Sequence, residues 1–235
     1  MKNIKLWLAI LPFFTIACSQ EPLMANIENG QAAMTMRENQ ADAENPDNPY
    51  DAAGSFYSKI LDIIDTDSLE LNSVEHAAVL IDSIADTYPE LDGMANDAVL
   101  HQRLHQITPI ISSDAELDDV LLSSILGTEA RTSLLQLSEL VELHAEDTYQ
   151  ELYALLVSYE QGIQGNSALS NSDKQILLTI SSVVRYSTER KRKDKDWETS
   201  VTKIAQTVFA SDQNVVLGLK MAAAVGICQK HSVRE

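Results

Sequence analysis

The spacing of apolar residues from Tyr50 onward constrains the fold of this 235-residue chain more than any other feature. Apolar side chains recur at intervals of three and four, as in Phe56, Ile60 and Ile64, and no segment shows sustained alternation of apolar and polar residues. Spacing of three and four places side chains on one face of an α-helix, whereas alternation is typical of a half-buried strand. The sequence therefore predicts an all-α fold.

Capping residues mark the starts of several predicted helices. Asp51 is suited to cap the first helix, Ser73 or Asn72 the second, and Ser113 or Asp114 the fourth. In each case a side-chain oxygen can accept a hydrogen bond from a backbone N–H that has no partner within the helix.

Proline and glycine mark the predicted helix ends. The second helix should stop before Pro89, and the third, at residues 92–106, should be broken by Pro109, because proline lacks a backbone N–H and restricts the residue before it. Gly127 is suited to the left-handed position that ends the fourth helix. Neither residue type interrupts residues 128–161, which are predicted to form one long helix or two.

The remaining pattern predicts a loop at residues 162–171 and helices near residues 172–191, 197–210 and 212–228. Seven to eight helices with short connections over residues 50–235 favour a single-domain irregular helical bundle. A repeat solenoid is the alternative architecture. It would require helix pairs that recur at a fixed period of about 34–47 residues, and the pairs here do not align.

The N-terminus has the pattern of an export signal. Two lysines, at positions 2 and 5, precede an apolar run at residues 6–16, and the small residue Ala17 precedes Cys18. A basic region, a short apolar region and a small residue at the cleavage point are the parts of a secretory signal peptide, here residues 1–17. The run is shorter than the roughly 20 residues that a membrane-spanning helix needs.

The segment Thr15-Ile16-Ala17-Cys18 resembles the lipobox of bacterial lipoproteins, which usually have leucine in place of Thr15 and a small residue in place of Ile16. The resemblance implies that Cys18 becomes the acylated first residue of the mature protein. Ser19, rather than aspartate, resembles the pattern that permits sorting to the outer membrane. The alternatives are an ordinary signal peptide cut elsewhere and an uncleaved anchor helix.

Residues 18–49 have the composition of a disordered tether. They are rich in glutamine, glutamate, asparagine, alanine and aspartate and poor in large apolar side chains, so they cannot bury enough surface to become ordered. A flexible chain of this length spans about 30 Å. The expected organisation is a signal peptide at residues 1–17, the acylated cysteine and tether at residues 18–49, and a helical domain at residues 50–235.

The boundary between tether and domain reads Asn45-Pro-Asp-Asn-Pro-Tyr-Asp-Ala-Ala-Gly54. It is similar to the opening of uncharacterised helical lipoproteins that carry Asn-Pro-Tyr-Asp-x-x-Gly after a tether. The resemblance implies an acylated cysteine and a helical domain, and it supplies no activity or ligand. Gly54 is expected to allow close packing near the first turn of the first helix.

The charge of the chain limits its partners. It has 17 basic and 35 acidic residues, and loss of the signal peptide removes Lys2 and Lys5 but no acid, which leaves 15 against 35 and a net charge of −20. Nucleic acid is an unsuitable partner because phosphate binding needs clustered cations. We expect contact with a membrane only through the N-terminal lipid, and a protein partner, if there is one, could be cationic.

The strongest metal-ligand pattern is Asp97 followed by His101 and His105, since residues four apart share one helix face and two such imidazoles can hold a divalent ion. The pattern is similar to half of a zinc-protease motif, but Gln102 stands where that motif has its general-base glutamate. These three residues are weak metal candidates, and the alternative is a pair of partly exposed histidines. We predict no catalytic residues and no cofactor.

The cations of this acidic chain are concentrated between Arg190 and Lys195, with Arg185 one turn earlier. They are expected either to be solvated at a helix end, where cations suit the helix dipole, or to form a docking patch for an acidic protein or for lipid headgroups. Trp197 beside them is expected in the core. The lone thiol of Cys228 is either buried or available for an intermolecular disulfide, and its apolar surroundings favour burial.

These features favour a lipid-anchored envelope protein of the outer membrane that acts as a binding or accessory module rather than an enzyme. Two alternatives stay open. One is a helical immunity or inhibitor protein for a cationic toxin, and the other is a metal-binding protein that uses His101 and His105.

Overall fold

The computed structural model describes residues 43–66, 71, 73–87, 99–211 and 214–231. In these ranges the chain forms α-helices and no strand, which confirms the predicted all-α helical bundle. The helices are α1 (Asp51–Thr66), α2 (Val74–Ala85), α3 (Leu104–Ile111), α4 (Leu117–Leu122), α5 (Thr128–Leu143), α6 (Tyr149–Gly165), α7 (Asn171–Lys193), α8 (Val201–Ala210) and α9 (Val215–Lys230). A 3-10 turn, Leu100–Arg103, leads into α3. Among the described helices, none is both long and apolar enough to cross a membrane.

Two helices form the centre of the bundle. The middle of α7 is buried on every side and packs against α1, α5, α6 and α8, while α9 packs against α1, α2, α3 and α8. In α9, small and aliphatic residues from Val216 to Val225 are buried without a polar face, which is the pattern of an interior helix. The apolar faces of the other helices cover these two.

The structure confirms one predicted helix start and corrects two others. Ser73 caps α2, where its hydroxyl accepts a hydrogen bond from the backbone N–H of His76 at 3.1 Å. Asp51 was predicted as a cap, but it is the first residue of α1 and its carboxylate binds Arg185. Helix α4 begins only at Leu117, after Glu116, and neither Ser113 nor Asp114 caps it.

The predicted roles of Pro109 and Gly127 as helix ends were wrong. Pro109 lies inside α3, where its missing N–H would have bonded to the carbonyl of His105; both residues are exposed, so water can hydrate that carbonyl. Gly127 has φ −65° and ψ 162° and precedes α5, so it begins a helix and has no left-handed conformation. Its amide instead donates to Asp173 at 3.2 Å.

Residues 128–161 form two helices, because a capping box interrupts them. The Thr148 hydroxyl accepts from the Glu151 N–H, and the Glu151 carboxylate accepts from the Thr148 N–H at 3.0 Å, which starts α6. Helix α6 then continues through Gly162 to Gly165, so the loop that was predicted from residue 162 is shorter. The last two helices begin later than predicted, at Val201 and Val215.

The N-terminal boundary of the folded part also differs from the prediction. Residues 43–50, which we call the strap, were assigned to the tether up to residue 49, but they form turns packed on the bundle. Asn45 and Asn48 are each only 3% exposed. The folded part therefore includes the strap, residues 43–50. The rest of the predicted tether lies outside the described residues.

Candidate ligand-binding cleft

Some predicted sites lie outside the described part of the chain. These are the signal peptide, the lipobox with Cys18, and Asp97 of the metal pattern.

The two histidines of the metal pattern lie on different elements. His101 is in the 3-10 turn, and its Nδ1 is 2.9 Å from a carboxylate oxygen of Asp82 on α2. His105 is exposed in α3. Within the described residues, no group of three or more His, Cys, Asp or Glu side chains could hold a metal ion. Among the described residues, the structure therefore assembles no metal-binding group around these two histidines.

Asp82 has a structural role that the sequence pattern did not reveal. Its carboxylate accepts from the backbone N–H groups of Leu100 and His101 at 2.9 and 3.0 Å and from the ammonium of Lys220 at 3.0 Å. Burial favours the neutral acid, but these backbone and lysine hydrogen bonds outweigh it and lower the pKa of Asp82. The carboxylate thus ties the start of the 3-10 turn and the central helix α9 to α2.

Arg190 of the basic segment, and Arg185 one turn before it, are bound in the interior. Arg190 is buried, pairs with Asp62 at 2.9 Å and with Asp65, and lies over the ring of Trp197 with 5.0 Å between its guanidinium carbon and the ring centroid. Trp197 is 2% exposed, which confirms the prediction that it belongs to the core. Arg185 is fully buried and is not part of a surface patch. These arginines organise the interior, so a surface role falls to the lysines.

A cleft lies beside the C-terminal end of α7. Its volume is about 590 Å³, within the range typical of small-molecule sites, about 300–1,000 Å³. One wall is formed by the end of α5 and the turn into α6, and the other by the end of α7 and the connection to α8. Three cations of the basic segment, Lys191, Arg192 and Lys195, thus line this cleft.

The two walls of the cleft carry opposite charges. Glu142 and Asp147 are exposed on the α5–α6 wall, and Lys191 and Lys195 are exposed on the opposite wall. No ion pair joins these four side chains, and of the four only Asp147 has an ionic contact within the described part, to Nδ1 of His144 at 2.6 Å. The charges therefore share a cleft without neutralising one another across it.

The cleft floor is apolar and is flanked by hydroxyl groups. Leu152 and Val201 lie at its base, and Thr188, Thr199 and Ser200 line its sides. The three hydroxyls already bond within the protein: Thr188 donates to the Arg185 carbonyl, Thr199 lies 3.0 Å from the Ser187 hydroxyl, and Ser200 accepts from the Lys203 amide. Each hydroxyl keeps hydrogen-bonding capacity for a ligand.

Tyr149 and Arg192 form the corner between the floor and the basic wall. The guanidinium carbon of Arg192 lies 5.8 Å from the centroid of the Tyr149 ring, and Arg192 also pairs with Glu189 at 2.7 Å. Burial, followed by the nearby Glu189 carboxylate, raises the pKa of Tyr149, so its hydroxyl stays protonated. Tyr149 is 6% exposed, so its ring is covered and offers no open aromatic face to the cleft.

A second polar cluster is buried between α1, α6 and α7. Arg185 donates to Glu160 at 3.3 Å and to Asp51, and Glu160 also accepts from the Ser181 hydroxyl at 3.0 Å. Burial alone would lower the pKa of Arg185, but the charges of Glu160 and Asp51 outweigh it and raise the pKa. The guanidinium therefore remains charged inside the fold, where its charge is balanced by two carboxylates.

The strap is bound to this cluster. The side-chain amide of Asn45 donates to Glu160 at 2.6 Å, and that of Asn48 donates to the Leu178 carbonyl at 3.2 Å. At Gly54 the helices α1 and α7 are so close that an added Cβ would lie 2.6 Å from the Ser182 carbonyl oxygen and would also meet the Tyr186 ring. This confirms the predicted close approach. Asn48, Asp51 and Gly54 thus attach the strap and α1 to α7.

Cys228 is fully buried in α9, as its apolar surroundings predicted. Burial raises the pKa of its thiol to about 11. The thiol is therefore protonated and shielded, and an intermolecular disulfide would require α9 to open.

Sequence reasoning missed the cleft and the Arg185 cluster for different reasons. The cleft depends on the break between α5 and α6, which had been left open. The cluster depends on Glu160 and Arg185, which are 25 residues apart in the sequence and lie on different helices. Asn45 and Asn48 gave the available signal, since two asparagines beside prolines are suited to ordered turns.

Comparisons of this chain with protein-family models, with curated proteins and with solved structures find no match.

Proposed function

We propose that this protein is a lipid-anchored component of the bacterial cell envelope that binds a small polar ligand in the cleft between the α5–α6 turn and the end of α7. The observation that carries the proposal is the set of opposed, unbridged charges at Glu142, Asp147, Lys191 and Lys195. Maintaining like charges in one wall costs electrostatic energy, and a ligand with complementary charges would recover it.

The proposed location depends on the N-terminal sequence. The apolar run before Ala17-Cys18 supports export and acylation, and Ser19 supports sorting to the outer membrane. Acyl chains gain about 0.8 kcal/mol per buried methylene, so two or three chains anchor a protein stably. In this proposal the polar segment after Cys18 connects the anchor to the strap.

Binding, rather than chemistry, is the activity that the cleft supports best. The residues that line it include no histidine or cysteine, and its hydroxyls serve as helix caps or bond to neighbouring backbone and side-chain groups. Such groups can orient a ligand, and the hydroxyl that donates to a carboxylate, that of Thr148 to Glu151 at 2.8 Å, belongs to the capping box that starts α6. We therefore propose an accessory or binding module.

The anchor is tested by membrane fractionation and fatty-acid labelling of the full chain. Wild-type protein should incorporate labelled palmitate and sediment with outer membranes, and a Cys18→Ala variant should do neither. Membrane association of that variant, without label, would contradict the anchor. Protease treatment of intact cells then shows which side of the membrane carries the domain.

The cleft is tested by screening small polar molecules against the mature protein by NMR. Ligands should shift resonances of residues 188–202 and of the α5–α6 turn, and these shifts should disappear in a Lys191→Glu/Lys195→Glu variant. The same charge reversal at Lys174, which contacts the Gln164 carbonyl away from the cleft, is the control. Ligands that bind elsewhere with equal affinity in both variants would exclude this cleft.

A second function is supported by the acidic exterior of α4, α5 and α6. Leu122, Ile125 and Leu143 are 76%, 64% and 74% exposed, and they lie among exposed acidic residues, including Glu139 and Glu146. Apolar side chains surrounded by acids would suit a cationic protein, as an immunity or inhibitor protein requires. A cationic partner that dissociates as salt rises, and that no longer binds a Glu139→Gln/Glu146→Gln/Leu143→Ser variant, would support this alternative.

A further inference from the structure

The geometry points to a short peptide with free termini as the ligand of the cleft, with its C-terminal carboxylate bound by Lys191, Arg192 and Lys195 and its N-terminal amine bound by Glu142 and Asp147. This inference rests on the proposed function, because it names the ligand class of the same cleft.

The basic wall provides a binding site for one anionic group. Lys191 and Lys195 are exposed, line the same cleft, and form no ion pair within the described residues. Arg192 lies between them in sequence, is held by Glu189 and lines the cleft as well. The helix dipole explains why cations occur at the end of α7, but it does not explain why they converge on a concave surface. A carboxylate is the anion that a peptide supplies.

The acidic wall requires a ligand that also carries hydrogen-bond donors. Glu142 and Asp147 would repel a simple anion, and His144 engages only one oxygen of Asp147. A ligand that bears only negative charge would satisfy one wall and be repelled by the other. A protonated amine at the other end of the ligand removes this conflict, so the ligand should be dipolar.

The middle of the cleft suits a peptide better than a sugar. Its base is apolar at Leu152 and Val201, which can accommodate small side chains, and the hydroxyls of Thr199 and Ser200 can bond to peptide N–H and C=O groups. Sugar rings pack on open aromatic faces. The aromatic residue that lines the cleft, Tyr149, has its ring covered by Arg192.

The test is calorimetric titration of the mature protein with trialanine in four forms: both termini free, acetylated at the N-terminus, amidated at the C-terminus, and blocked at both. The free peptide should bind, and each single block should weaken binding by about tenfold or more, since each removes a charge-assisted interaction. The doubly blocked peptide should show no binding.

Variants assign each terminus to a wall. In Lys191→Ala/Lys195→Ala, amidation should weaken binding much less than in the wild type, because only Arg192 remains to bind the carboxylate, whereas acetylation should still weaken binding as in the wild type. In Glu142→Gln/Asp147→Asn, the free and acetylated peptides should bind equally, whereas amidation should still weaken binding. Lys193→Ala is the matched control, because Lys193 lies on the same helix end, is paired with Glu189 and does not line the cleft. It should retain the wild-type response to both blocks.

The outcomes separate this inference from the function on which it rests. Equal binding of all four peptides, or binding of glucuronate in the cleft without binding of trialanine, would overturn the peptide assignment and leave the cleft as a binding site. Failure of every peptide, together with the absence of cleft-dependent shifts in the small-molecule screen, would overturn both. Circular dichroism of each variant establishes that a loss of binding is not a loss of fold.

Discussion

At the scale of single residues, the fold depends on a few sites where space or charge permits only one chemistry. Gly54 lies where α1 touches α7, and its amide donates to the Ser182 hydroxyl at 3.0 Å. Arg185 is a fully buried cation that needs Glu160 and Asp51 on two other elements. Both sites join segments that are far apart in the sequence. A substitution at either one should therefore lower the free energy of unfolding of the whole bundle.

A Gly54→Ala substitution should destabilise the protein by several kcal/mol, because the new methyl would meet the backbone of Ser182 and the ring of Tyr186. The matched control is Gly162→Ala in α6, where an added Cβ has nothing within 4 Å. There the change should stabilise the protein by about 0.5–1 kcal/mol, as alanine favours the helix. Urea unfolding of both variants measures the difference, and equal effects would contradict the close approach at Gly54.

Glu160→Ala should destabilise the protein by about 3–5 kcal/mol, because it leaves the buried Arg185 without one of its two carboxylates. Glu160→Gln should cost less, since the amide can still accept from the Ser181 hydroxyl. Thermal and urea denaturation of the two variants would test the order. A glutamine variant as unstable as the alanine variant would show that charge, rather than hydrogen bonding, dominates this site.

At the scale of elements, the sequence predicted helix positions well and helix ends poorly. The apolar spacing identified α1, α2 and α8, whose buried residues recur every three to four positions. Helices were also predicted near α7 and α9, whose middle parts are buried on every side. The ends depend on local hydrogen bonds that compete with each other. Gly127 alone would suit the C-terminal end of a helix. In the structure it precedes α5 instead, and its amide donates to Asp173 on α7. The acidic and basic walls of the cleft could not be predicted from the sequence. They face each other only because α5 and α6 are two helices with a turn between them.

Thr148→Ala should destabilise α6 by about 1 kcal/mol, because the hydroxyl that accepts from the Glu151 amide is lost. The effect should be larger than that of Ser170→Gly at the start of α7, because glycine is itself a tolerated N-cap. The free energy of unfolding, measured in urea, tests both. Trialanine binding should also weaken in Thr148→Ala, since this residue positions the acidic wall. Unchanged stability would show that tertiary packing alone starts α6.

At the scale of the whole molecule, charge is distributed unevenly between interior and surface. Three buried cations are paired with carboxylates: Arg185 with the buried Glu160, Lys220 with the largely buried Asp82, and Arg190 with the exposed Asp62. The exterior is left strongly acidic, with a net charge of −18 for the chain. Such a surface resists association, and it makes the stability of the bundle depend on pH.

Asp82 provides a pH test of the whole fold. Its pKa in the folded protein is lowered from the ordinary value of 3.8, so its contribution to stability is complete above that value and is lost as the pH falls through the folded pKa. Wild-type protein should therefore lose stability steeply in acid, while Asp82→Asn should be less stable at neutral pH and should lose less on acidification. Unfolding free energies measured from pH 7 to well below pH 3.8 test this. Parallel curves for the two proteins would exclude Asp82 as a contributor.

The strap determines how the molecule would resist a pulling force applied at its N-terminal side. Polypeptide that precedes Ala43 joins the bundle through Asn45 and Asn48, which are hydrogen-bonded to α6 and α7 rather than to the end of a terminal helix. A pulling force applied upstream of residue 43 would thus load several bonds across two helices at once before it reached α1. If the N-terminus is held in a membrane, movement of the envelope would strain this attachment first.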